Sequence, residues 1–141
     1  MTPPRPHDRA GDDRGLARTI RRRVMVRVAD ADDSHHTVAA ESGDWQPFLD
    51  GIRIKVLRQD GELLSYLLQL APGATLPAHR HPHDEECVVL EGRLHIGTRL
   101  ELGPGSYHLA HAGALHAPIV TPTGATIFLR GAVPDVAQIL D

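Results

Sequence analysis

The 141-residue sequence predicts a single all-β domain, a sandwich or small barrel, on three observations. Apolar runs of about four to eight residues recur from Trp45 onward, too short for helices. Gly- and Pro-bearing turn signals separate them at regular intervals. The length, with 41% hydrophobic residues, suits one compact domain with a short appendage and not two.

Residues 1–15 carry three Pro, two Gly and alternating charge with almost nothing apolar, so they read as a flexible tail. From Leu16 to Val28 the spacing of Leu16, Ile20 and Val24 predicts a short amphipathic helix, although Val24, Val26 and Val28 also alternate like a strand. Residues 29–44 are polar connecting chain. The barrel is expected over 45–131, with strands at Ile52–Leu57, Leu63–Leu70, Cys87–Leu90, Arg93–Ile96, Leu100–Leu102, Tyr107–Ala110, His116–Val120 and Ala125–Arg130. Asp60-Gly61, Ala71-Pro72-Gly73, Glu91-Gly92, Gly103-Pro104-Gly105 and Thr121-Pro122-Thr123-Gly124 supply turns between them. A carboxy-terminal extension, 132–141, contains one expected helical turn at Asp135–Leu140.

Composition narrows the function. The net charge of −3 hides +5 over residues 1–28 and −8 over the rest. The basic stretch contains no aromatic residue and no DNA-reading motif, which argues against nucleic acid as a partner. No run reaches the roughly 18 to 20 apolar residues of a membrane span, and no signal-peptide pattern opens the chain, so a cytoplasmic protein is expected. Cys87 stands alone, which excludes an internal disulfide and a thiolate zinc cage. Any metal must be held by His and carboxylates. Ten His occur, and seven of them (His79, His81, His83, His95, His108, His111, His116) fall between residues 79 and 116.

Within that stretch, side chains two apart in a strand share a face, so His79 and His81 can bind one ion together. Glu85 opens the next strand and can face back toward them. His116, after the Ala112-Gly113-Ala114 turn, is the best candidate for a fourth ligand. Neutral imidazoles and one carboxylate suit a borderline divalent cation. His83 and Glu86 are out of step with these faces and are expected to be exposed. His95, His108 and His111 read as ordinary barrel histidines, with His111 the nearest to the ligand turn. Cys87 shares the inward face of Glu85 and reads as a buried, inert thiol. Tyr66, Trp45 and Phe128 read as core.

Gly73 through His79, His81 and Glu85 to Gly92 resembles the first cupin motif, G-x5-H-x-H-x3-E-x6-G, without a gap. Gly105 through Gly113 to His116 resembles the second, with His111 where that family has Pro and Val120 where it has Asn. The resemblance implies a double-stranded β-helix (jelly-roll) barrel, with His79, His81, Glu85 and His116 as metal ligands. Trp45-Gln-Pro, Gly51-Ile-Arg-Ile-Lys-Val-Leu, Leu70-Ala-Pro-Gly, His116-Ala-Pro and Ile127-Phe-Leu are similar to the carboxy-terminal cupin half of ChrR-type anti-sigma factors. That likeness implies a zinc-binding sensory or regulatory domain. In such proteins a separate amino-terminal zinc module grips the sigma factor; this chain begins too late to contain it, so direct sigma-factor binding is not expected. The alternative is a cupin dioxygenase acting on a small diketone-like or phenolic substrate, in which iron, manganese or nickel replaces zinc and Glu85 serves as base. Pocket-facing candidates are mostly Val, Leu and Ala, which favours a small apolar ligand over a sugar. Small cupins commonly pair through outer strands, so a homodimer is expected.

Overall fold

Between Leu63 and Leu70 every second side chain is buried, with Leu64, Tyr66, Leu68 and Leu70 on one face. That is the pattern of a strand with one face against a core. The computed structural model describes residues 34–134. The tail expected over 1–15, the helix over 16–28 and the turn at Asp135–Leu140 lie outside the described residues. Among the described residues there is no helix, hence none long and apolar enough to cross a membrane.

The strands in chain order are β1 (Gln46–Leu49), β2 (Ile52–Asp60), β3 (Leu63–Leu70), β4 (Thr75–Leu76), β5 (His79–Arg80) and β6 (Glu85–Gly92). They continue as β7 (Leu94–Ile96), β8 (Leu100–Leu102), β9 (Tyr107–Ala110), β10 (Leu115–His116), β11 (Ile119–Val120) and β12 (Ala125–Ala132). One sheet has the order β1-β2-β3-β12-β6-β9, a second β4-β11-β7-β8, and β10 pairs with β5 alone. All pairings are antiparallel. The core lies between the two larger sheets: Ile52, Leu68, Ile127, Leu129 and Val89 from the first meet Leu76, Leu94, Ile96 and Ile119 from the second. Full burial of each such side chain contributes about 1.5–3 kcal/mol.

The expected strand His116–Val120 is two short strands, β10 and β11, interrupted at Ala117-Pro118. Proline has no N–H to continue a ladder, and Pro118 instead accepts a hydrogen bond from Gly97 N at 2.9 Å. Pro77 interrupts the partner chain between β4 and β5 in the same way, so the two segments leave the four-stranded sheet together and form the small β5–β10 pair. Gly92, the last glycine of the first motif, is obligatory for a different reason. Its φ is +75°, and a Cβ there would lie 2.0 Å from Gly124 O. Lys55 is buried on β2, its Nζ donating to Ala39 O and Ala40 O at 3.2 Å each, which ties the entry segment to the sheet.

Candidate metal centre

The β5–β10 pair places His79 directly opposite His116. Two residues on, His81 returns to the same side, and after the Pro82-His83-Asp84 turn Glu85 opens β6 facing inward. His79, His116 and Glu85 are buried, and His81 is nearly so. One ligand atom from each of His79, His81 and Glu85 lies within 4.8 Å of the others. His79 Nε2 is 4.0 Å from Glu85 Oε1, and His81 Nε2 is 2.6 Å from Glu85 Oε2. The His79 ring lies 4.8 Å from the His116 ring, nearly parallel to it, and 4.4 Å from the His81 ring.

Backbone carbonyls orient two of the imidazoles. His79 Nδ1 donates to Pro77 O at 2.7 Å, and His116 Nδ1 donates to Ala117 O at 2.8 Å. A carbonyl only accepts, so Nδ1 carries a proton in both rings and Nε2 is the atom left to ligate an ion once it is deprotonated. Burial alone would push the Glu85 carboxyl up, but the close approach of the His79 and His81 imidazoles outweighs it and holds the carboxyl at about 2. Burial likewise lowers His79, and the nearby Glu85 carboxylate and the bond to Pro77 O more than reverse this. His116 is lowered, burial dominating. The centre therefore presents an ionised carboxylate and, at His116, a neutral imidazole.

The residues fit a divalent cation. His81 Nε2 and both Glu85 oxygens are buried without a hydrogen-bond partner; the 2.6 Å approach of His81 to Glu85 is too poorly aligned to count as one. Such orphaned polar atoms cost about 1–3 kcal/mol each, and an ion shared by all three would satisfy them. Ligand atoms around a tetrahedral ion at 2.0–2.2 Å sit about 3.4 Å apart, between the two separations seen here. His79, His81 and Glu85 could hold the ion, and His116 stands beside them.

The loop before β10 is fastened to the ligand strand. Asp84 Oδ1 accepts from Ala112 N at 2.8 Å, Arg80 Nη1 donates to Gly113 O at 3.1 Å, and Gly113 N donates to His81 O at 2.8 Å. Gly113 has φ +77°, which a side-chain-bearing residue adopts poorly. Asp84 and Arg80 carried no signal in the sequence, because their partners lie about thirty residues away. His111 points outward, exposed, 3.9 Å from the Asp84 carboxylate. The histidine that approaches the centre is His108, its ring 5.4 Å from that of His116. The reason is register: His108 pairs with inward-facing Cys87, whereas His111 lies beyond the end of β9. His95 lies on β7, opposite Val120 and Glu101. His83 is half-exposed with Nε2 3.1 Å from Glu62, and Glu86 accepts from the Tyr107 hydroxyl at 2.9 Å. Cys87 is buried, and burial pushes its thiol up to about 12.

Above the centre is a cavity of about 30 Å³, room for about two waters. Its walls are apolar: Phe48, Leu68, Leu76, Leu129 and Val133. Its polar lining is His79, Arg80, His81, Glu85 and Tyr66. Tyr66 is buried, and desolvation, then the nearby Glu85 charge, raises its hydroxyl well above the usual range.

A jelly-roll of antiparallel sheets with a His-His-Glu cluster inside one end defines a cupin domain. The model of the ChrR Cupin-like domain matches residues 33–133, and the chain belongs to that family. Among solved structures it is similar to an RmlC-like cupin from Shewanella frigidimarina, with 19% identity over 74% of this chain and 96% of that one and a TM-score of 0.65. It is also similar to a chain of the Rhodobacter sphaeroides SigE complex with the anti-sigma ChrR, with 23% identity over 66% of this chain and 50% of that one and a TM-score of 0.58. An acetylacetone dioxygenase from Acinetobacter johnsonii gives 17% identity over 76% and 86% of the two chains and a TM-score of 0.58. These likenesses establish the fold. No curated protein matches the sequence.

Proposed function

We propose that the chain is a metal-binding cupin with a sensory or regulatory role, holding one divalent ion, zinc first, through His79, His81, Glu85 and His116. The observation that carries this is the set of buried, partnerless donor atoms on His81 and Glu85, beside two imidazoles whose Nδ1 atoms are engaged by backbone carbonyls, leaving Nε2 for the ion. Bound zinc would supply a redox-inert Lewis acid, and bound iron or manganese would add redox chemistry. The protein's own contribution is to hold the carboxylate ionised, fix the tautomers and exclude bulk water with the apolar wall. The cavity of about 30 Å³ favours sensing over turnover of a bulky substrate. A small molecule that enters would act by disturbing one arm of the centre.

Membership of the ChrR Cupin-like family supports a regulatory setting, and the ChrR neighbour is solved in complex with a sigma factor. Within these 141 residues the only cysteine is Cys87, buried in the barrel, so the chain contains no thiolates for a sigma-gripping zinc module. A metal-dependent dioxygenase is the second reading, favoured by the fold shared with the acetylacetone dioxygenase; Glu85 would then be the base. Elemental analysis after expression without an affinity-column metal tests the proposal. One zinc per chain, lost in His81→Ala, is the expected result, and full occupancy in that variant would remove the assignment. Oxygen consumption by the iron-loaded protein with a diketone would favour the dioxygenase. Sub-micromolar binding to a purified sigma factor would show that the barrel itself grips that partner.

A further inference from the structure

Tyr66 is buried to 3% exposure and lines the cavity above the centre, yet its hydroxyl has no hydrogen-bond partner among the described residues. The fully enclosed, partnerless atoms are confined to His81 and Glu85, so the Tyr66 hydroxyl opens onto the cavity and is available to whatever enters it. Register explains how it gets there. Tyr66 lies between Val56 on β2 and Leu129 on β12, with Cys87 beyond on β6, so its ring points into the barrel one step along from Glu85.

The surroundings set what such a donor would meet. With a divalent ion at the centre, the single Glu85 carboxylate leaves one positive charge uncompensated. Arg80 is one of the lining residues, while its exposed side chain donates from Nη1 to Gly113 O. The apolar walls and the volume of about 30 Å³ exclude anything bulky. We propose that Tyr66 is the specificity-determining residue of this cavity, donating its phenolic proton to a compact anion of roughly two or three heavy atoms. The inference rests on the metal-holding reading above and deepens it: the centre supplies charge, Tyr66 supplies direction, and Phe48, Leu76 and Val133 set the size limit.

The test uses the full chain loaded with cobalt(II), whose visible spectrum reports on its surroundings, and azide as the probe. Metal content is measured first, so failure of the metal reading is seen separately: a chain that takes up no metal overturns both readings. The loaded wild type is expected to bind azide with a spectral change. Tyr66→Phe is expected to keep its metal and its thermal midpoint, since the lost hydroxyl bonds to nothing in the protein, and to bind azide about tenfold or more weakly. Equal azide affinity in the two proteins, or no azide binding by the loaded wild type, would overturn the proposal. If Tyr66→Phe does not fold, Tyr107→Phe decides, because it leaves Tyr66 as the only tyrosine. In that zinc-loaded variant azide should shift the near-ultraviolet tyrosine band, and an unchanged band would overturn the proposal.

Discussion

Replacing Glu85 by Gln in the metal-free protein isolates the electrostatics of the centre. Glu85 is 2% exposed, and its carboxyl is held at about 2 against an ordinary 4.5. At about 1.4 kcal/mol per tenfold, that difference corresponds to about 3 kcal/mol of preference for the ionised form in the folded state. The sign follows from proton uptake. Below about pH 4.5 the unfolded chain binds a proton that the folded chain refuses, so this stability is present above pH 4.5 and lost as pH falls toward about 2. His79 works in the opposite sense: its raised value contributes stability below 6.5 that is lost as pH rises through the folded value. His116, lowered by burial, works against His79 below 6.5, so the loss between about pH 4.5 and about pH 2 is the limb that belongs to Glu85. Glu85→Gln lacks the acid limb due to this group, and near pH 5.5 it should melt lower by roughly 10–20 °C for a domain of this size. The two proteins should converge toward pH 2. The assay is the thermal midpoint of both proteins after chelation, scanned from low pH to neutral, because the difference cancels the other carboxylates. A constant gap from about pH 5 to about pH 2.5, or no gap, would refute the account of Glu85. Zinc added to the wild type should stabilise it increasingly as pH rises, since the imidazoles must be neutral to ligate.

Cys87, with its thiol near 12, should resist iodoacetamide in the folded protein at pH 8 and react rapidly in denaturant; fast modification of folded protein, read by mass spectrometry, would contradict its burial. Gly92→Ala forces a Cβ into Gly124 O and should lower stability by more than about 3 kcal/mol, measured by urea unfolding. The outer strands β1 and β9 are edges of the larger sheet, and sedimentation at micromolar concentration is expected to show a dimer; a monomer would contradict pairing through those edges.

The sequence by itself determined the strand rhythm and the grouping of His79, His81 and Glu85, because these depend on short-range rules. Alternation by two sets which face a side chain takes, and the ligands lie within seven residues of one another. The two motif glycines that punctuate them, Gly73 and Gly92, were legible for the same reason, although the cause at Gly92, the approach of Gly124, was not. Everything that depends on register between distant strands was decided only by the tertiary structure. His116 meets His79 because β10 pairs with β5, a pairing held by Asp84 and Arg80 across about thirty residues. His108 approaches the centre in place of His111 because β9 is aligned with Cys87 on β6. Tyr66 could be read as inward-facing from its parity, but its neighbours across β2 and β12 turn a core residue into a cavity donor. Parity is a local consequence of backbone geometry, whereas register is chosen by the whole sheet, through its hydrogen bonds and the packing of the core it encloses.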